Sequence, residues 1–298
     1  MNKIVFVTDF LASEIQGGAE LSLDAIIKAA PEGIQTTTIK TQFLTPDMLL
    51  DKSIHWVFGN YTRIPRVTLD FWLRTSDQMS YSIIEFDYKY CILRNEIVHN
   101  YQTFMHTKSF SFCNCMTQEI GLITEKLFYN TQKLFFMSEE QKKLIYSRMP
   151  CLVEKQNNHF IQWSTWTPEH LQKLDDLHTE RAANGFGPMY LIQGSENWLK
   201  GTENAIKFAE SQTKLYKVAP HMKYEDFLTE MSKCQGFIFH PNAWDTCPRV
   251  VVEAKLIGLE VYVNDKVQIK DDPIYNQDRQ TLLEYLHKSP RNFWSNIR

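Results

Sequence analysis

Phe237-Ile238-Phe239-His240-Pro241-Asn242-Ala243-Trp244-Asp245-Thr246-Cys247-Pro248-Arg249-Val250-Val251-Val252-Glu253-Ala254-Lys255-Leu256-Ile257-Gly258 is the stretch that decides the fold class. Its opening apolar run reads as a buried strand, its polar middle as a loop, and its Val/Ala/Leu-rich end as a helix. Asp245 or Thr246 can cap that helix, Pro248 sits where a first-turn proline is tolerated, and Gly258 can end it. Such a helix start presents unpaired backbone N–H groups, at which a phosphate binds well. Asp245 in the loop and Glu253 about two turns into the helix can line one cleft at the carboxyl end of a strand, where open α/β sheets take ligands. The same pair also reads as a capping aspartate and a solvated glutamate on an ordinary helix.

Outward from this stretch the chain alternates strand and helix. After it, Glu260 to Asn264 reads as a strand and Thr281 to Trp294 as helical. Before it come strand Met189 to Gln193, loop Gly194 to Gly201, helix Thr202 to Ser211, strand Lys214 to Val218 and helix Lys223 to Lys233. In the first half, Lys3 to Thr8, Ile34 to Ile39, Ile54 to Phe58, Thr68 to Leu73, Ser82 to Phe86 and Leu134 to Met137 read as strands. Ala19 to Ala30 reads as a helix, and so does Glu139 to Arg148, with Ser138 as its N-cap. The polar, tryptophan-bearing texture of residues 155 to 188 marks a junction. Division at 1–167, 168–285 and a terminal helix 286–298 gives two Rossmann-like halves with mostly parallel sheets.

Composition narrows the function classes. The 298 residues are 43% hydrophobic and 13% aromatic, with 11 Gly and 11 Pro, the make-up of a chain with a large core. Thirty-two Lys+Arg against 35 Asp+Glu give a net charge of −3, so no global positive field favours nucleic acid or anionic lipid. Six unevenly spaced cysteines do not form a disulfide framework. Cys113-Asn114-Cys115 lacks the second half-site that zinc spacing requires and reads as plain reduced thiols. The apolar run Ile4 to Val7 is too short for a signal peptide, and no stretch approaches a membrane span, so a soluble, cytoplasmic protein is expected. Metallohydrolase, serine hydrolase and P-loop signatures are missing from the sequence.

The segment Asp245, seven residues, Glu253-Ala254, with Gly258 following, resembles the donor-binding segment of retaining glycosyltransferases of family 4, which have the GT-B fold. The family usually has Glu at the first position and a glycine-rich loop where Thr246, Cys247 and Pro248 stand here. By this resemblance Glu253 hydrogen-bonds the ribose of a nucleotide sugar and Asp245 lies near the donor sugar. Gly194-Ser195-Glu196-Asn197-Trp198-Leu199-Lys200-Gly201 looks like the family's strand-to-helix loop, whose lysine contacts the diphosphate; Ser195 replaces the family's arginine, which leaves Lys200, with Arg249, to carry the charge. A cation there neutralises the leaving diphosphate as the glycosidic bond breaks. Gly17 and Gly18 resemble the glycine pair facing donor phosphates and acceptor, and close backbone approach needs glycine.

Asp87 stands about where the family's histidine faces the donor sugar; it also reads as an ion-pair partner of Lys89 or Arg94. Trp163, Trp166 and Trp244 can stack on sugar or pack in the core. The resemblance thus implies an α/β, GT-B architecture, two Rossmann-like domains facing across a cleft: residues 1–167 for the acceptor, 168–285 for the nucleotide sugar, and 286–298 crossing back. It implies transfer from a UDP- or GDP-sugar to a glycan, lipid-linked or other acceptor, with retention of anomeric configuration and without metal or other cofactor. Asp245, Glu253 and Asp87 are the catalytic candidates. A non-catalytic GT-B-like sugar- or nucleotide-binding or partner protein, and a nucleotide-sugar epimerase, compete with that reading.

Overall fold

Residues 3–297 are described in a computed structural model, and the chain divides into two units, Met1–Thr167 with Lys288–Arg298, and Pro168–His287. In the first unit, β1 (Lys3–Thr8), β2 (Gln35–Lys40), β3 (Ile54–Phe58), β4 (Tyr81–Glu85), β5 (Lys133–Phe136) and β6 (His159–Ile161) form one parallel sheet in the order β2-β1-β3-β4-β5-β6. The central strands β3 and β4 are buried at every position, which is why they read as continuous apolar runs rather than as alternating ones. The strand order reverses between β1 and β3, a topological switch point of the flavodoxin kind.

Aromatic packing holds this unit together. Phe58 stacks on Trp72 with ring centroids 3.8 Å apart, and Phe6 meets Phe293 and Trp294 from the end of helix Arg279–Ile297. The Trp294 indole N–H donates to the Ile26 carbonyl at 2.8 Å, which satisfies a buried donor and fixes the last turns of that helix.

One strand expectation fails: Thr68 to Leu73 lies inside helix Arg66–Thr75. Thr68 and Trp72, four residues apart, face the core together, and Arg66 pairs with Asp70 at 2.8 Å on the outer face, so the helical period wins over the β-branched and aromatic composition. Helices Glu96–Thr107 and Glu119–Asn130 occupy a region in which no element was expected. Ser138 caps helix Glu139–Arg148 as read, its hydroxyl accepting from the Gln141 N–H at 3.1 Å.

The second unit repeats the plan with β7 (Gly187–Gln193), β8 (Tyr216–Ala219), β9 (Cys234–Phe239) and β10 (Glu260–Val263), all parallel, in the order β10-β9-β7-β8. Its switch point lies between β7 and β9. Ile192, Ile238, Ala205 and Ala209 fill one face of the sheet. Helix Arg249–Ile257 follows β9 and ends at Gly258, whose φ of 91° is left-handed. Pro248 occupies its N-cap position in place of the expected Asp245 or Thr246. No helix among the described residues is long and apolar enough to cross a membrane.

Candidate functional site

The strongest grouping of sequence-derived candidates stands at the switch point of the second unit. The loop after β7 carries Lys200 and the loop after β9 carries Asp245, and the Lys200 ammonium meets the Asp245 carboxylate at 3.1 Å. Asn242 sets that distance: its backbone N–H donates to the Leu199 carbonyl at 3.0 Å and its side-chain amide to the Trp198 carbonyl at 2.6 Å. Asp245 is held from the other side, its N–H donating to the Lys266 carbonyl and its carbonyl accepting from the Gln268 N–H. Gly201 ends the lysine loop at φ 63°, and a Cβ there would collide with the His240 carbonyl oxygen, so only glycine lets the two loops close on each other. Lys200 and Asp245 both keep partial exposure.

Deeper in the same unit, Glu253 is fully buried. Its Oε1 accepts from the Tyr224 hydroxyl and faces His170 Nε2 at 3.4 Å and Arg249 Nε at 3.6 Å. Burial alone would raise the Glu253 carboxyl, but the His170 hydrogen bond and the Arg249 charge prevail and hold it below its ordinary value, so it is an ionised acceptor. Burial pushes the Tyr224 hydroxyl well above its ordinary value, which makes it a donor at any relevant pH. Tyr224 and His170 stack with ring centroids 5.5 Å apart. These two partners are 54 residues apart, and no spacing rule links them to Glu253. Thr246, Cys247, Pro248 and Arg249 lie between the two clusters along the chain and are buried.

A second grouping stands at the switch point of the first unit. Gly17 is the N-cap of helix Gly18–Lys28 in ordinary extended backbone, and Gly18 opens the helix. Asp87, after β4, accepts from Arg94 Nε at 2.7 Å, while Arg94 Nη2 donates to Asn60 Oδ1 at 2.6 Å. Asn60 also hydrogen-bonds Glu20, whose carboxyl is raised by burial and by the nearby Asp9 and Asp87 charges. Arg94 adopts φ 61°, a conformation that an L residue holds only when its surroundings require it. Lys89 does not join Asp87; it pairs with the buried Glu85 at 2.9 Å. Gln141 donates to the carbonyls of Glu85 and Asp87, which fixes the backbone from which Asp87 projects.

Two residues with no sequence signal complete this picture. Asp9, directly after β1, accepts from Thr41 Oγ1, from Thr62 N and Oγ1, and from Arg63 N, all within 3.1 Å, and so ties together the loops after β1, β2 and β3. Asn60 bridges Glu20 and Arg94. Trp163 and Trp166 are buried in the core, whereas Trp244 is partly exposed.

No protein-family model matches the sequence, and no curated protein matches it significantly. Solved structures do match over the whole chain. An alpha-glucosyltransferase in complex with UDP superposes with a TM-score of 0.54 at 10% identity, covering 100% of both chains. The catalytic domain of starch synthase IV from Arabidopsis thaliana, bound to ADP and acarbose, gives 0.56 at 9% identity, covering 100% of this chain and 94% of that one. A UDP-N-acetylglucosamine 2-epimerase from Rickettsia bellii gives 0.50 at 9% identity, covering 100% and 96%. The fold is GT-B, built from two Rossmann-like units with parallel sheets. At these identities the likeness concerns the fold, and the same fold serves both transfer and epimerisation.

Proposed function

We propose that this chain is a glycosyltransferase that takes a sugar from a nucleotide-sugar donor, with retention of anomeric configuration and without a catalytic metal. The observation that carries the reading is the convergence of Lys200, Asp245 and the amino end of helix Arg249–Ile257 at the switch point between β7 and β9. Open α/β sheets bind ligands at such points, and backbone N–H groups with a nearby ammonium suit a diphosphate. Lys200 is held in place by Asp245 until phosphate oxygens draw it away. Glu253 is the ribose acceptor, with a sugar hydroxyl replacing the Tyr224 hydroxyl on Oε1. The solved structures of this fold that hold UDP or ADP support a nucleotide as the ligand class. In the first unit, Gly17, Gly18 and Asp87 serve the transferred sugar and its acceptor, Asp87 countering positive charge that builds on the anomeric carbon.

One observation favours the non-catalytic alternative. Glu253 Oε1 already accepts from Tyr224 and faces His170 and Arg249, so that oxygen has to exchange its partner before it can take a ribose hydroxyl. A thermal-shift series with UDP-, GDP-, CDP- and ADP-sugars separates the readings. A donor at 100 times its Kd stabilises by about 2.7 kcal/mol, and Lys200→Ala and Glu253→Gln each shrink that shift. If no nucleotide sugar moves the Tm of well-folded protein, the donor site is refuted. Binding without turnover across acceptor pools selects the non-catalytic protein, and an inverted product overturns retention.

A further inference from the structure

Outside both groupings, in the first unit, the thiols of Cys91, Cys113 and Cys115 and the His99 imidazole converge on one point. The four ligand atoms lie within 4.8 Å of one another. His99 Nδ1 stands 3.6 Å from Cys91 Sγ, 3.2 Å from Cys113 Sγ and 3.2 Å from Cys115 Sγ, and Cys113 Sγ stands 3.7 Å from Cys91 Sγ. A tetrahedral zinc ion with Zn–S of about 2.3 Å and Zn–N of about 2.0–2.1 Å requires edges of roughly 3.8 Å between sulfurs and 3.6 Å from sulfur to nitrogen. The observed sulfur–nitrogen edges equal their value or fall about 0.4 Å short of it, the Cys91–Cys113 edge falls within about 0.1 Å of the sulfur–sulfur value, and no edge exceeds 4.8 Å. The half-site missing from the spacing around Cys113-Asn114-Cys115 is supplied by Cys91, from the turn after β4, and by His99, from helix Glu96–Thr107.

We propose that Cys91, His99, Cys113 and Cys115 bind one zinc ion in a closed, structural site. Three thiolates and an imidazole are the ligand set that zinc takes in such sites, and four protein ligands leave no position for water or substrate. On binding, three thiols release their protons to solvent and His99 lends the Nδ1 lone pair; no electron transfer is involved.

Two features prepare the site before any metal arrives. The Cys91 sulfur accepts from the backbone N–H groups of Leu93 and Asn95, and the Cys113 sulfur from that of Cys115, the kind of outer hydrogen bonding that steadies metal-bound thiolates. Cys115 is positioned by packing: a Cβ on Gly121 would strike the Cys115 carbonyl oxygen, so glycine there lets helix Glu119–Asn130 lie directly on the Cys115 turn. The ion therefore pins the segment between His99 and Cys113, which carries the highly exposed Phe110 and Phe112. It also pins the Tyr88–Arg94 turn, from which Arg94 reaches Asp87.

The test uses the full chain, purified without chelator under reducing conditions, with metal measured by inductively coupled plasma mass spectrometry. The expected result is one zinc per chain. Cobalt(II) exchanged into the protein gives the visible bands of a tetrahedral ion and a near-ultraviolet thiolate-to-cobalt charge transfer. Cys113→Ser and His99→Gln weaken zinc retention by more than the roughly 10–100-fold that loss of an outer hydrogen-bond partner causes, whereas Cys151→Ser leaves the zinc content unchanged. Chelation lowers the Tm and opens the segment around Phe110 and Phe112 to protease. Metal-free wild-type protein that takes up no zinc when titrated overturns the proposal, even if a variant fails to fold. So does a Cys–Cys disulfide within the cluster in protein that retains no metal.

Discussion

Lys89 and Glu85 form an ion pair buried from solvent at the end of β4, with the Lys89 ammonium also donating to the Ile84 carbonyl at 3.0 Å. Burial pushes the Glu85 carboxyl up to about 7 even with Lys89 beside it, and burial likewise lowers Lys89, so each charge persists because of the other. Lys89→Met removes one partner and leaves a buried carboxylate, at an expected cost of about 3–5 kcal/mol in denaturant unfolding. The sign with pH follows from the raised carboxyl. The folded state keeps a proton that the unfolded state loses above its ordinary value, so stability falls as pH rises from about 4.5 through the folded value. The variant is therefore expected to be closer to wild type at pH 5 than at pH 8. Equal losses at both would mean that Glu85 does not take up the proton.

At the scale of elements, helix Glu139–Arg148 does more than cover β5. Ser138 caps it, and Gln141 in its first turn accepts from the Met137 N–H at 2.6 Å while donating to the carbonyls of Glu85 at 3.0 Å and Asp87 at 2.6 Å. One buried amide thus couples the helix start to the loop that presents Asp87. Ser138→Ala should cost about 1 kcal/mol, the usual worth of a cap. Gln141→Ala should cost more, about 1–3 kcal/mol for each buried backbone group left unpaired, and, if the proposed function holds, should also reduce transfer by releasing the Asp87 loop. Urea unfolding of the two variants, with the reverse order of losses, would show that the coupling is weaker than the geometry implies. The cap was legible from the sequence because it is a local pattern. Gln141's reach to the end of β4, more than fifty residues back along the chain, was not, since only the parallel pairing of β4 with β5 brings the two together.

Across the whole molecule, the pH dependence below neutrality is set by buried histidines and hydrogen-bonded carboxylates whose contributions run in one direction and outweigh the opposite trend of Glu85. Burial lowers His55 and His159 to about 4, so between their ordinary value near 6.5 and about 4 the unfolded chain binds protons that the folded one refuses. Stability from these groups is complete above that window and drains away as pH falls through it. Asp9 behaves in the same direction at lower pH: burial would raise it, but hydrogen bonds from Thr41, Thr62 and Arg63 hold it down, and its contribution is lost as pH falls through its folded value. Glu253 does likewise in the second unit. Urea midpoints are expected to decline steadily from pH 7 to 4, and His159→Phe to flatten the upper part of that decline. A wild-type midpoint that holds level over this range would contradict the shifts.

The sequence by itself determined what depends on neighbours along the chain. The strand and helix alternation, the Ser138 cap, the Gly258 stop and the two loops bearing Lys200 and Asp245 all follow from apolar period and local backbone chemistry, which act within a turn or a strand. Tertiary structure decided what depends on groups far apart in the chain. Thr68 to Leu73 became helical because Thr68 and Trp72 share a core face, Glu253 was enclosed by Tyr224 and His170, and Asp87 went to Arg94 while Lys89 went to Glu85. Cys91, His99, Cys113 and Cys115 met for the same reason: a turn after one strand, a helix and a following loop were packed against one another. Parallel sheets place side by side the loops after strands that are far apart in the chain, and a linear spacing rule carries no record of that.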